Sequence, residues 1–484
     1  MCIRDRFRQL FQYFKLKQAG RISLIGTFFF LLSPYQTEVL VWRACLNYLL
    51  VTAFMLSSLW CLIHYLKTKK GQYIFGIHGF FVLALFTFEL SLVLPLLTIV
   101  FYVSWIWLTA SGRFSKFSNS TNISFFKETR FTKSARFSKS VAFGQLTHYF
   151  TRISLPQLGL ISSYFLLNKW MIGSWVGHYG AATHLKFSLT KMSGTLLKYL
   201  LKYLFFVRAY PHKYKGQIFG FCDNYGLLIV GVIGMISLLI VMYKRQINRE
   251  KIVVYTLLLA AFIITLLPVL NLYFYSIQHI ENDRYGYLAS LFGLMLLSFA
   301  LFQLSRFLRY ALLVIYLSTS VFLLIQTNQI WKESTEVFYS LLANYRWYEA
   351  ENVIILNVPD NYQGAYLFRI IGRKSGFQDA LTYIQQKEVK GKIWEVVQYN
   401  MTRPVDGVTA IKNKPDQLKV KFNQWGNWFW RNGIGAGPTH QRSIYTAHFK
   451  GQYYLLDLKN PPANTVYIYQ NGKEWKELLR NDER

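Results

Sequence analysis

The chain has 484 residues, of which 53% are hydrophobic and 18% aromatic, and its formal net charge is +31. Apolar runs close to the length of a bilayer span, about 20 residues, recur between Ile22 and Ile325, and soluble packing would not need so many. The composition therefore excludes an ordinary soluble protein and indicates a polytopic α-helical membrane protein with an appended domain.

The positive charge is distributed as in a membrane protein. Up to Thr327 the chain carries 33 Lys+Arg and 8 Asp+Glu, and after it 21 and 15. The excess lies mainly in the segments between apolar runs, as the positive-inside rule and contact with anionic lipids predict. We therefore expect membrane lipids, and no nucleic acid, among the partners. The cysteines and histidines lack the spacing of metal ligands, so the sequence predicts no metal site and no cofactor.

Basic residues assign the two sides of the membrane. The N-terminal segment carries Arg4, Arg6 and Arg8, which predict a cytoplasmic N-terminus. About nine spans then follow, at residues 22–33, 41–66, 73–88, 91–108, 158–172, 225–243, 252–275, 287–304 and 311–325. In this topology residues 111–155 form a basic cytoplasmic loop, residues 174–224 form an external loop, and the C-terminal part lies outside.

The external loop at residues 174–224 is basic, which conflicts with its predicted side. Within it, residues 192–207 have an apolar helical face, and Lys191, Lys198 and Lys202 cluster to one side of that face. This pattern favours a helix that lies in the membrane interface over a helix that crosses the membrane. A crossing helix would reverse the side of every later loop.

The membrane domain is predicted to comprise residues 1–326 and a soluble extracytoplasmic domain residues 327–484. Residues 330–349 predict a helix. The short alternating or apolar runs that follow predict a β-rich or α+β domain, with turns at Pro359-Asp360 and Asn471-Gly472. These runs are residues 353–358, 394–399, 418–422, 443–449, 453–458 and 466–469.

An aromatic cluster in the C-terminal domain contains Trp425, Trp428 and Trp430. These rings are candidates for stacking on a sugar. The alternative is a place in the domain core or an interfacial anchor, since tryptophan favours both.

Charged residues at the predicted external ends of the apolar runs are the clearest sign of a functional site. They are Glu38, Glu89, Glu281, Asp283 and Arg284, and the four acids are half of the eight in the membrane part. An ionised side chain beside hydrocarbon is costly unless it is solvated or functional. Their shared side predicts one polar site on the extracytoplasmic face.

The segments that carry these charges read SPYQTEVLVW at 33–42, ALFTFELSLVLP at 84–95 and DRYGYLAS at 283–290. In order, spacing and membrane side they resemble motifs of the transmembrane O-mannosyltransferases with TPR tails, members of the GT-C glycosyltransferase superfamily. Ser33 stands where this family has His, Phe88 where it has Lys, Asp283 where it has Glu, and Ala289 where it has Pro. The resemblance covers roughly residues 20–326 and none of the tail.

The resemblance implies transfer of a sugar from a polyprenyl-phosphate-linked donor to a protein, glycan or lipid acceptor on the extracytoplasmic face, with inversion at the anomeric carbon. Arg284 offers a guanidinium fork suited to phosphate oxygens. The implied roles are catalysis by Glu38 and Glu89, binding of the donor phosphate by Arg284 and His279, and support of the site by Glu281, Asp283, Tyr285 and Tyr287.

The general base of the resembled enzymes is an Asp in the first external loop, after the first span. In this chain the only acid before Glu38 is Asp5, which lies in the basic start. We therefore expect this base in residues upstream of Met1, which would leave the chain as given without it.

Two other functions remain open from the sequence. One is a polysaccharide polymerase, ligase or flippase-like carrier; a carrier should have helices broken by Gly or Pro near mid-membrane and inverted repeats. Only Pro95 and Pro268 lie inside predicted spans, and no repeat is visible. The other is a non-catalytic scaffold with a binding tail, in which Arg284 merely pairs with Glu281 or Asp283. If the chain is a glycosyltransferase of this kind, we expect it in a bacterial inner membrane.

Overall fold

The computed structural model describes residues 3–14, 16, 18–109, 144, 146–175, 188–243, 249–270, 280–368, 376–423, 438–459 and 464–478. The chain divides into two compact units. One contains Met1–Gln278 and Asn282–Leu324, and the other contains His279–Glu281 and Ile325–Arg484.

The described part of the first unit is helical. Its α-helices are α1 (Ile3–Tyr13), α2 (Ala19–Leu31), α3 (Thr37–Val41), α4 (Leu46–Thr68), α5 (Gln72–Thr87), α6 (Leu94–Thr109), α7 (Leu155–Ile172), α8 (Leu189–Phe205), α9 (His212–Tyr243), α10 (Arg249–Leu270), α11 (Tyr287–Leu301) and α12 (Arg306–Ala343), whose residues from Ile325 belong to the second unit. Short 3₁₀ helices lie at Pro34–Gln36, Arg43–Cys45, Glu89–Val93, Val207–Ala209 and Ile280–Gly286, and a π-helix at Phe150–Ser154.

Many of these helices are compatible with a membrane protein. Within the described ranges six are long and apolar enough to cross a membrane: Arg43–Thr68, Glu89–Leu108, Lys213–Met235, Glu250–Leu270, Asn282–Leu301 and Arg306–Ala343. Each of the nine predicted stretches overlaps a helix. The helix that covers residues 225–243 begins earlier than expected, at His212.

A seventh candidate span is broken. Ala19–Leu31 and Pro34–Val41 pass the same test together but are bent by 61°. The break follows from the local sequence, because a proline begins the second segment and cannot donate a backbone hydrogen bond to the preceding turn. The Ser33 hydroxyl accepts the backbone N–H of Tyr35 at 3.3 Å and so caps the new segment.

The packing of α2 against α11 brings the first and third motifs together. The Ser298 hydroxyl donates to the carbonyl of Ile22 at 2.8 Å. At the other end of α2, the rings of Phe30 and Tyr287 lie 5.3 Å apart. The segment that follows α2 therefore lies beside the segment that precedes α11.

The second unit is β-rich where it is described, as expected. Its strands are β1 (Asn352–Ile355), β2 (Val358–Tyr362), β3 (Ala365–Tyr366), β4 (Lys392–Glu395), β5 (Gln398–Met401), β6 (Val408–Lys414), β7 (Gln417–Phe422), β8 (Thr439–Gln441), β9 (Tyr445–Phe449), β10 (Tyr453–Leu458), β11 (Thr465–Asn471) and β12 (Glu474–Glu477), and α13 is Gly376–Gln385. The sheet orders are β12-β11-β1-β4, β6-β7-β10-β9-β8 and β3-β2-β5. The expected turn at Asn471-Gly472 joins β11 to β12, where Gly472 has a φ of +66°.

One local prediction for this unit is wrong, and one helix ends earlier than predicted. Pro359-Asp360 is part of β2 instead of a turn, and a register shift between Pro359 and Asn361 accommodates the missing N–H of proline. The helix predicted at residues 330–349 ends at Ala343. Beyond it Tyr345 packs on Phe377 with ring centroids 5.4 Å apart, so tertiary packing overrides the helical pattern.

Candidate functional site

Glu38 and Arg284 form a buried ion pair that joins the first and third motifs. Glu38 lies on α3 and is wholly buried. One of its carboxylate oxygens pairs with the guanidinium of Arg284, and the other accepts the backbone N–H of Arg284 at 2.7 Å. Bonds of this charge-assisted kind are stronger than neutral ones and fix both side chains. The structure thus brings two of the predicted site residues together.

Aromatic rings hold the guanidinium of Arg284 in place. Its central carbon lies 5.2 Å from the centre of the Trp42 ring and 4.6 Å from that of Tyr285. A guanidinium nitrogen also donates to the Tyr285 hydroxyl at 3.2 Å. Cation–π contacts of this kind add to the ion pair and restrict the orientation of the fork. Tyr285 therefore contacts Arg284 through both its ring and its hydroxyl.

Asp283 is the centre of a second set of ion pairs. It is wholly buried, and one carboxylate oxygen lies 2.5 Å from the ammonium nitrogen of Lys202. The other oxygen pairs with the guanidinium of Arg208. The ring of Tyr35 lies beside both cations, 4.9 Å from the Lys202 nitrogen and 4.6 Å from the central carbon of Arg208. The segment between α7 and α9 therefore contributes two cations to the site.

The position of Lys202 differs from the expectation. The sequence groups Lys202 with Lys191 and Lys198 beside the apolar face of an interfacial helix, yet Lys202 is buried inside the unit. An ion pair offsets part of the cost of burying an ammonium group, and Asp283 supplies the partner. Burial lowers the pKa of Lys202, and the adjacent carboxylate of Asp283 acts in the opposite direction.

The two sets of ion pairs belong to one polar cluster. Glu38 lies within electrostatic range of Asp283, Lys202 and Arg208. Asp283 and Arg284 are consecutive in the chain, so one short 3₁₀ segment anchors both sets. The cluster combines the carboxylates of Glu38 and Asp283 with three cations, an excess of positive charge that suits binding of an anionic group.

Glu89 differs from the carboxylates of this cluster. It begins a 3₁₀ helix, is half-buried, and has no hydrogen-bond or ion-pair partner among the residues that the structure describes. The preceding Phe88 lies 4.6 Å from the Tyr48 ring, and Tyr48 lies 6.2 Å from the Tyr285 ring. The rings of Phe88, Tyr48 and Tyr285 therefore link the second motif to the third.

A buried hydrogen-bond chain supports the segment behind the site. The Gln36 amide donates to the Ser290 hydroxyl at 2.9 Å, which donates in turn to the Tyr287 carbonyl at 2.7 Å. Tyr287 is buried and contributes packing behind the cluster. Gln36 and Ser290 lie inside the motifs that the sequence singled out, but no charge marked them.

Gly286 sets the distance between α8 and the 3₁₀ segment that carries Asp283. The Tyr203 hydroxyl donates to the Gly286 carbonyl at 3.0 Å, and a Cβ on Gly286 would lie only 1.9 Å from that hydroxyl oxygen. We expect Gly286→Ala to lower the free energy of unfolding by about 1–3 kcal/mol, because the buried tyrosine must move. Denaturant unfolding in detergent measures this change.

The matched control is Gly159→Ala on α7. A Cβ at Gly159 would meet no heavy atom within 4 Å, and alanine is the better helix former. We expect this variant to be as stable as the wild type or more so. Equal unfolding of the Gly286→Ala and Gly159→Ala variants would contradict the close packing at Gly286.

Several predicted site residues cannot be placed. His279, Trp425, Trp428 and Trp430 lie outside the described residues, and so does the side chain of Glu281. In the parts of the chain that are described, no three His, Cys, Asp or Glu side chains are grouped so as to hold a metal ion.

No protein-family model, curated protein or solved structure matches this chain. Its function is therefore inferred from the residues that meet at Glu38, Asp283 and Arg284.

Proposed function

We propose that this chain is a GT-C-like membrane glycosyltransferase. It transfers a sugar from a polyprenyl-phosphate-linked donor to a protein, glycan or lipid acceptor on the extracytoplasmic face. The observation that carries the proposal is the pairing of Glu38 with Arg284, which joins motifs at opposite ends of the membrane part. The second motif, with Glu89, lies next to them through aromatic contacts.

The proposed topology has about nine spans in a bacterial inner membrane. The six long apolar helices, the bent pair, and the shorter helices α5 and α7 supply them. The N-terminus is then cytoplasmic and the second unit extracytoplasmic. This arrangement puts the cluster around Asp283 at the outer face, where a lipid-linked donor presents its phosphate.

The proposed reaction is an in-line displacement at the anomeric carbon. The acceptor hydroxyl oxygen forms a bond to that carbon while the bond from carbon to the phosphate oxygen breaks. Polyprenyl phosphate leaves with the bonding electrons, and a carboxylate accepts the hydroxyl proton. Arg284 binds the phosphate and stabilises the charge that develops on it, and Glu38 positions Arg284.

Glu89 is the proposed proton acceptor. A general base must be able to take up a proton at the acceptor hydroxyl. Glu38 is occupied by two bonds from Arg284, whereas Glu89 is half-buried and has no such partner within the described residues. The motif resemblance implies an upstream Asp in this role, and Glu89 is the carboxylate of the present chain that fits it.

We expect Glu89→Gln to reduce sugar transfer by about 10²–10⁴-fold, because the amide is isosteric but cannot accept the proton. The measurement is the loss of radiolabelled sugar from a polyprenyl-phosphate donor in proteoliposomes. The unfolding temperature should stay unchanged, since Glu89 makes no ion pair in the described structure.

Glu250→Gln is the matched control. Glu250 is also half-buried at the start of an apolar helix, but it lies at the predicted cytoplasmic side. We expect its transfer rate to equal that of the wild type. A wild-type rate for Glu89→Gln would exclude Glu89 as the base. Transbilayer movement of the donor without cleavage of its sugar–phosphate bond would favour the carrier alternative.

A further inference from the structure

We infer that Arg208 is a second phosphate-binding residue and that it clamps the donor phosphate together with Arg284. The inference deepens the proposed function and rests on it. None of the sequence motifs contains Arg208; only the fold brings it to the site, through its ion pair with Asp283.

The setting of Arg208 matches that of Arg284. Each guanidinium pairs with a carboxylate that is wholly buried. Each lies over an aromatic ring, Arg208 over Tyr35 at 4.6 Å and Arg284 over Tyr285 at 4.6 Å. Each side chain remains partly exposed, by 12% for Arg208 and 14% for Arg284. A buried carboxylate and an aromatic ring therefore fix the position of each arginine.

Lys202 differs from the two arginines in the exposure of its side chain. It pairs with the same carboxylate of Asp283, but only 1% of its side chain is exposed. An ammonium group enclosed to this degree can balance Asp283, but it cannot meet a ligand without rearrangement. Lys202 therefore balances the charge of Asp283, whereas the partly exposed side chain of Arg208 can contact a ligand.

The carboxylates that pair with the two arginines belong to the same polar cluster. Arg208 binds Asp283, the residue directly before Arg284, and it lies within electrostatic range of Glu38, the partner of Arg284. Planar forks from two segments suit the oxygens of one phosphate group.

The position of Arg208 indicates a phosphate that is attached to a lipid. Arg208 lies in the 3₁₀ turn that directly follows α8, the helix with the interfacial sequence pattern. A ligand that contacts both arginines thus has its phosphate beside the exposed apolar side chains of Leu204 and Phe205 at the end of α8. Asp283 is the positioning residue for Arg208, as Glu38 is for Arg284.

Binding of a sugar-free polyprenyl phosphate to the purified full chain in detergent tests the inference. We expect Arg208→Gln and Arg284→Gln each to weaken binding about tenfold or more, as loss of a charged hydrogen bond predicts. Polyprenol without phosphate should bind the wild type and both variants equally weakly. Inorganic phosphate, the water-soluble source of the same group, should compete only at far higher concentration.

Arg21→Gln is the control, because Arg21 is exposed at the other end of α2. We expect it to bind as the wild type does. Arg208→Lys keeps a charge for Asp283 but lacks the fork, so it should keep the wild-type unfolding temperature and still bind more weakly. If Arg208→Gln fails to fold, the binding of polyprenyl phosphate to Arg208→Lys tests the role of Arg208.

The binding experiment separates a failure of the proposed function from a failure of the role of Arg208. If the wild type binds polyprenyl phosphate no better than polyprenol, the proposed function and the inference are both wrong. If Arg284→Gln weakens binding while folded Arg208→Gln and Arg208→Lys bind like the wild type, only the role of Arg208 is wrong.

Discussion

Replacing Arg284 with alanine is expected to reduce sugar transfer by about 10²–10³-fold and to lower the free energy of unfolding by about 3–5 kcal/mol. The loss of rate follows from the missing donor to the leaving phosphate. The loss of stability follows because Glu38, which is wholly buried, loses the guanidinium group that pairs with its carboxylate. Transfer in proteoliposomes and denaturant unfolding in detergent measure the two effects.

A double variant separates these effects. Adding Glu38→Gln to Arg284→Ala removes the stranded carboxylate, so we expect much of the stability to return without any return of transfer. Arg21→Ala, an exposed arginine of the same unit, should change neither quantity. Arg284→Ala with wild-type stability would show that the buried pair with Glu38 does not exist.

Replacing Asp283 with alanine is expected to lower the free energy of unfolding by about 3–5 kcal/mol. The reason is that Lys202 and Arg208 both pair with this carboxylate inside the unit. The two neighbouring cations would then repel each other without the anion between them. Denaturant unfolding in detergent measures the loss, and binding of polyprenyl phosphate should weaken as Arg208 loses its anchor.

Asp223→Ala is the matched control for Asp283→Ala. Asp223 lies 2.5 Å from the ammonium nitrogen of Lys198 in the same unit, but 55% of its side chain is exposed. Exposed ion pairs contribute about 0–1 kcal/mol, because water screens them. Equal midpoints of unfolding for the two variants would contradict the burial of the Asp283 cluster.

The sequence predicted the part of the site that is marked by charge next to apolar runs. Glu38 and Arg284 fell on the same predicted side of the membrane, and the structure pairs them. Their pairing as such was not predicted, because Glu281 and Asp283 were nearer in sequence. Asp283 and Arg284 bind different partners although they are consecutive.

The contribution of Lys202 and Arg208 could not be read from local patterns. A lysine on an amphipathic helix usually faces water, and the acid that buries Lys202 comes from a distant segment. In the second unit, the sequence predicted β7, β9, β10 and β11 but not β6, although β6 is as long as β11. It missed β2, whose proline reads as a turn residue when the partner strand is not known.

The most direct test of the proposed function is to follow a polyprenyl-phosphate donor with a radiolabelled hexose in proteoliposomes that contain the full wild-type chain and acceptor glycans, peptides or lipids. We expect loss of hexose from the lipid, release of one polyprenyl phosphate for each hexose transferred, and inversion at the anomeric carbon. Hexose that stays on the lipid phosphate as long as in empty liposomes would contradict it.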